Sequence, residues 1–346
     1  MAKEYRGRHN KVKYLFINTA KELFEMGKGK SKHQAFLESY ERDRTRQSQA
    51  IHSYSTFYTY TEVVAKFGDF LYEKGVKYES NFRELKADKV YEYLDEYFEK
   101  QKAAGLSKKS LEKHISALNK ILSYINPEVK KYFNADNRMK WRDGKEVQEC
   151  DRYNYTNRIL ENLKQIDEVS YAIAMIQLKT GARVGDVKKI IIDEENKRVF
   201  FPKSKGGRDR WVYFDRFQED FETVKQCKQI LDRALEQKPF KEIRKNEYYY
   251  NLRKACRMSG DVYHGSHAFR YEFAQNRYDK FKEWTQQEQE EYYIRILRDR
   301  GKSEKEIKKA VESVKERDAI AEAVVSEELG HSRLDISRQY LKLRAK

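Results

Sequence analysis

The sequence predicts a mainly α protein that carries one small antiparallel β-sheet and divides into two domains. Three observations point there. At 346 residues the chain is long enough for two separate cores. Up to Pro127 its apolar residues recur at helical spacing, punctuated by glycines. Between Lys189 and Phe214 the pattern changes to three short β-rich runs joined by turn sequences, after which helical spacing resumes.

The elements follow in order. Val12 to Met26 reads as a first helix stopping at Gly27-Lys28-Gly29. A second runs from about Ser55 to Tyr72, with Ser53 or Ser55 as its N-cap, an apolar stripe of Val63, Val64, Phe67, Phe70 and Leu71, and Gly75 at its end. A third spans about Lys89 to Ala103. A fourth starts at Ser107 and carries Leu111, Ile115, Leu118, Leu122 and Ile125 before Pro127. Pro127 to Glu149 is polar and weakly periodic, so the first domain is set at 1–140 and a linker at 141–153. In the second domain, 154–346, Asn157 to Ile166 and Tyr171 to Lys179 read as helices. Lys189 to Asp193, Arg198 to Pro202 and Arg210 to Phe214 read as strands, and helices complete the chain.

Composition narrows the function classes. Lys and Arg total 72 against 56 Asp and Glu, a formal net charge of +16, which favours a polyanionic partner such as nucleic acid. No apolar run is long enough to span a bilayer, and the N-terminus lacks the apolar core of a signal peptide, so the expected location is cytoplasmic. The three cysteines, Cys150, Cys227 and Cys256, lie far apart and form no Cys-x-x-Cys pair. Cys256, His264 and His267 match no common zinc spacing, so no metal is expected. Gly27-Lys28-Gly29-Lys30-Ser31 imitates a phosphate loop, but that motif needs glycine where Phe24 stands, and no cofactor is expected.

The chemistry concentrates in the second domain. Three boxes occur in order, Thr180-Gly181-Ala182-Arg183, His267-Ala268-Phe269-Arg270 and Leu329-Gly330-His331, and Tyr340 follows them. Arginines grip and neutralise a phosphate, histidines exchange protons, and a tyrosine hydroxyl is a nucleophile. Gly181 suits a helix break, placing Arg183 near the start of a following helix. His267 and Arg270 are three apart, hence on one helical face, with Ser266 as a candidate cap. His331 and Tyr340 are nine apart, on opposite sides of a straight helix, so the chain must break between them. Ser332 and Asp335 offer caps for a last helix from about Ile336.

This ordered set resembles the tyrosine recombinase (phage integrase) family. The resemblance implies a helical core-binding domain followed by a mixed α/β catalytic domain, the two halves clamping double-stranded DNA. It implies that Tyr340 forms a 3′-phosphotyrosyl link, that Arg183 and Arg270 stabilise the phosphate, and that His267 and His331 assist proton transfer. Asp186, three residues after Arg183, matches the family's acidic position and would brace the site. Lys205, in the turn Ser204-Lys205-Gly206-Gly207, matches the family's hairpin lysine, the acid for the leaving 5′ oxygen; Lys203 is its rival. Strand exchange through a Holliday junction would need self-association to a tetramer on two DNA sites, by a nucleoid-associated protein encoded by a bacterium, a phage or a mobile element, with an accessory DNA-bending or directionality factor as a possible further partner. Integration or excision of a mobile element is preferred over dimer resolution. Type IB topoisomerase-like activity and a catalytically inactive DNA-binding regulator stand as alternatives. The chain departs from the family between Arg270 and His331, where extra residues at about 279–317, rich in Glu, Lys, Gln and Arg, read as added surface helices, either a tolerated insertion or a contact element for neighbouring protomers. Only six residues follow Tyr340.

Overall fold

The computed structural model describes residues 10–25, 32–44, 48–142, 157–204, 208–314, 317–331 and 340–341. The chain is mainly helical with one small antiparallel sheet, and it separates into two compact units, Met1–Gln148 and Glu149–Lys346.

The first unit is a helical bundle: α1 (Lys11–Glu22), α2 (Lys32–Asp43), α3 (Tyr54–Glu73), α4 (Glu79–Arg83), α5 (Ala87–Ala103), α6 (Lys108–Ile125) and α7 (Ala135–Arg142). Asn10, Ser53 and Ser107 cap α1, α3 and α6 by accepting a main-chain N–H three residues on. The stripes of α3 and α6 meet in a core with Phe16, Leu94 and Phe98. Full burial of each such side chain contributes about 1.5–3 kcal/mol.

Two expectations need correction here. α1 ends at Glu22, before the glycines, because Phe24 leaves the helix to pack on Tyr54 and Phe57, with ring centroids 5.1 and 4.7 Å away. The stretch after Pro127 is folded at least as far as α7. Trp141, assigned to the linker, is buried, stacks on Phe98 with ring centroids 5.3 Å apart, and donates from Nε1 to the Tyr132 hydroxyl at 2.9 Å.

In the second unit α8 (Asn157–Ile166) precedes α9 (Glu168–Thr180), which is buried on nearly every side and forms the axis of the core. The sheet follows as β1 (Ile191–Asp193), β2 (Arg198–Ser204) and β3 (Arg208–Tyr213), in spatial order β1-β2-β3. Phe201 pairs with Arg210 and Ser204 with Arg208, so β2 carries an extra residue in a bulge, where Lys203 takes φ +42°. Then come α10 (Gln218–Gln237), α11 (Tyr249–Ser259), α12 (His267–Lys282), α13 (Gln286–Asp299), α14 (Glu304–Glu312) and α15 (Arg317–Glu328).

The segment between the second and third boxes is not a surface addition. Its helix α13 buries Tyr292, Tyr293, Ile296 and Leu297 in the same core as α9 and α12. Tyr292 donates to the buried Glu328 carboxylate at 2.6 Å, and Arg295 pairs with Asp215 at 3.0 Å. Charge dominates its outer face only.

Candidate active site

α9 ends where Gly181 turns left-handed, at φ +62°. A Cβ there would lie 2.5 Å from the Phe273 ring, so glycine serves both the turn and the close approach of α12. The next residue is pinned from inside: Gln177 donates to Ala182 O at 3.1 Å and is itself oriented by the Tyr248 hydroxyl at 2.7 Å. Arg183 follows on a turn closed by Asp186 N donating to Arg183 O at 2.8 Å, not at the start of a helix as expected. Its Nη1 donates to Ser204 Oγ at 3.2 Å, and Ser204 Oγ donates to Asp186 Oδ2 at 2.8 Å. Asp186 lies 4.0 Å from the guanidinium. Its bracing contact therefore runs through a serine on β2.

α12 opens at His267; Ser266 occupies the N-cap position but makes no side-chain cap bond. Arg270, one turn on, is fully buried. It donates from Nη1 to Gly181 O and from Nη2 to Leu329 O at 2.5 Å, tying the first box to the third. Its Nη2 also meets His331 Nε2 at 3.2 Å. Because arginine only donates, that ring nitrogen must accept, which leaves the histidine proton on Nδ1. Burial, then the positive charges of Arg270, Arg183 and Arg210, then His267, push the His331 pKa down to about 3. His331 is therefore neutral at physiological pH. Burial and neighbouring Arg183 bring Arg270 down to about 10, so it keeps its charge.

Tyr340 lies against this group. Its hydroxyl is 2.9 Å from His267 Nε2. Its ring stacks on Tyr271 with centroids 4.3 Å apart, lies 5.2 Å from the His331 ring, and has the Arg270 guanidinium 5.6 Å from its centroid. Residues separated by up to 73 positions thus meet at one phenol. Among the described residues, His331 Nδ1 and Arg270 Nε are buried without a hydrogen-bond partner, as are Nε and Nη2 of Arg210. Unpartnered buried donors on two arginines and a neutral imidazole suit an incoming anion.

Of the predicted site residues, Arg183, Asp186, His267, Arg270, His331 and Tyr340 form one connected cluster. Lys205 lies outside the described residues, as do Ser332, Asp335 and the helix expected from Ile336. Lys203 is exposed on the bulge. Three neighbours are absent from the predicted set: Ser204, Tyr271 and Arg210. Only Arg210 had a usable sign, since it shares strand parity with the apolar Val212 and so points inward. Among the described residues no group of three His, Cys, Asp or Glu side chains is arranged to hold a metal ion, and no helix is long and apolar enough to cross a membrane. Comparison with family models, curated proteins and solved structures gives no match for this chain.

Proposed function

We propose that this chain is a site-specific DNA recombinase of the tyrosine type, with Tyr340 as nucleophile. One observation carries the reading: the Tyr340 hydroxyl sits on His267 Nε2, beside a buried arginine and a neutral histidine with spare donors. The phenol is thus placed next to a proton acceptor and next to groups that would hold a phosphate. In the proposed step the phenolic oxygen bonds to phosphorus as the bond to the 5′ oxygen breaks. The phenolic proton passes to His267. Arg183 and Arg270 stabilise the charge on the non-bridging oxygens, and His331 Nδ1–H donates to one of them. The leaving oxygen takes a proton, from Lys205 in this reading, and the 3′ phosphate stays on the enzyme. The phosphotyrosyl bond conserves the energy of the broken diester, so rejoining needs only the reverse attack by a 5′ hydroxyl.

The net charge of +16 fits a DNA partner. The proposal extends to a tetramer on two DNA sites and to integration or excision of a mobile element. The test begins with selection of a bound duplex from random DNA. A nicked suicide form of that duplex is then incubated with the protein. The proposal expects a denaturant-resistant adduct and a free 5′ hydroxyl on the released strand. Specific binding with no adduct would favour a DNA-binding regulator instead. Relaxation of supercoiled plasmid lacking the site would favour a topoisomerase.

A further inference from the structure

Arg210 is a third arginine beside the cluster, and it is 1% exposed. β3 alternates, so Arg210 enters the core on the side of Val212 while Trp211 faces the other way. Its guanidinium lies over the Phe201 ring, 3.6 Å from the centroid. Nη1 donates to two main-chain carbonyls: Thr180 O at 3.2 Å, and Glu328 O. The first carbonyl ends α9, one residue before the Gly181-Ala182-Arg183 turn. The second ends α15, one residue before Leu329-Gly330-His331. Gly330, at φ +72°, passes so close that a Cβ would stand 3.0 Å from Arg210 Cδ.

A buried cation is costly unless paired. The carboxylates felt by Arg210 are Asp186 and Glu328. Asp186 is committed to Ser204 and Arg183. Glu328 is committed to Tyr292 and to Arg277, at 2.6 and 3.4 Å. Nε and Nη2 of Arg210 remain without a partner. The fold thus keeps a poorly compensated positive charge directly behind the site.

Resting on the recombinase reading above, we infer that Arg210 is a positioning residue of the phosphate cluster: it fixes the spacing of the loops bearing Arg183 and His331, and its charge adds to the field that receives the phosphate. The charge acts on His331 as well. That ring faces Arg270 and His267 from α12, Arg183 from the turn, Arg210 from β3, and Tyr340. Each cation opposes protonation of Nε2, the atom that accepts from Arg270. Protonation of His267, the proposed proton acceptor, also stops cleavage at low pH, so the titration of His331 is read from its own imidazole NMR signals.

The experiment uses the full chain, the selected suicide duplex, and the variants Arg210→Lys and Arg210→Gln. Lysine keeps the charge but cannot span both carbonyls; glutamine loses the charge. Both should bind DNA within about threefold of wild type, because phosphate contacts elsewhere dominate affinity. Single-turnover cleavage at saturating protein should fall about 10- to 100-fold in both, the size expected when a site loosens by a fraction of an ångström. The His331 imidazole signals should titrate at higher pH in Arg210→Gln and at the wild-type position in Arg210→Lys. A folded Arg210→Lys with cleavage within twofold of wild type overturns the inference, and that arm stands even if the glutamine variant does not fold. His331 titrations that coincide in the two variants overturn the electrostatic half. Failure of the wild-type protein to form any adduct overturns the recombinase reading itself, and this inference with it.

Discussion

The hydroxyl of Tyr340 lies 2.9 Å from Nε2 of His267, a hydrogen bond between the residue proposed to attack and the one proposed to take its proton. With the phenol as donor, the imidazole carries its own proton on Nδ1. Glutamine in place of His267 can still accept a hydrogen bond but cannot become a cation. His267→Gln should therefore retain DNA binding while cleavage falls about 10²- to 10⁴-fold, the usual range for general-base loss. Single-turnover rates at saturating protein check this; a loss under tenfold would remove the histidine from proton transfer.

The segment between the second and third boxes should prove indispensable to folding. Replacing residues 286–312 with a Gly/Ser linker uncovers the pocket filled by Tyr292, Tyr293, Ile296 and Leu297. At about 1.5–3 kcal/mol per buried side chain, four of them contribute roughly 6–12 kcal/mol, as much as the whole stability of many domains. The expected outcome is loss of the cooperative thermal transition of the second unit. A variant that unfolds cooperatively near the wild-type midpoint would show the segment to be a surface elaboration.

A pH dependence should reside in the first unit. His114 is buried, stacks on Tyr97 and shares a 3.1 Å hydrogen bond with its hydroxyl. Burial first, and then Lys66, hold its pKa down to about 4 against a small opposing pull from Glu62. The unfolded state therefore binds a proton near pH 6.5 that the folded state refuses until about pH 4. Stability from this residue is complete above pH 6.5 and is lost as pH falls through that window, at up to about 1.4 kcal/mol per pH unit. Between pH 7 and 5 the loss should be about 2 kcal/mol. Denaturant unfolding of His114→Phe at both values should show that much less pH dependence than wild type; an unchanged difference would refute the assignment.

Trp141→Ala tests where the first unit ends. Removal of a buried indole costs about 3–5 kcal/mol, whereas a linker tryptophan costs nothing. Urea unfolding monitored by far-UV circular dichroism should show an earlier first-unit transition, and an unmoved midpoint would return Trp141 to the linker.

Much of the fold was legible because helices and strands announce themselves locally. Ser53 and Ser107 before apolar stripes, and three β-rich runs around turn sequences, needed no knowledge of distant residues. The misreadings are all tertiary. Trp141 is isolated in a polar stretch, and its partner Phe98 lies 43 positions back, invisible to any local pattern. The helix Gln286–Asp299 hides its apolar face because two of its four core residues are tyrosines set among charges. Lys32–Asp43 is hard to read for a related reason: Ala35, Phe36, Leu37 and Tyr40 are its only apolar residues among twelve, too few to make a clear stripe. In the site, Arg183, His267, Arg270, His331 and Tyr340 stood out as an ordered set of chemically apt residues. Ser204 and Tyr271 gain meaning only from contacts with that set, and Arg210 gave only its parity.

The central claim is that Tyr340 is the atom donor of a covalent protein–DNA bond. The most direct measurement is covalent trapping on a nicked suicide duplex, with wild type and Tyr340→Phe compared side by side and the adduct digested and sequenced by mass spectrometry. Wild type should yield a nucleotide-bearing peptide modified at Tyr340, and the phenylalanine variant should bind the same duplex with no denaturant-resistant adduct. An adduct that persists in Tyr340→Phe, or that maps to another of the chain's 26 tyrosines, would contradict the account.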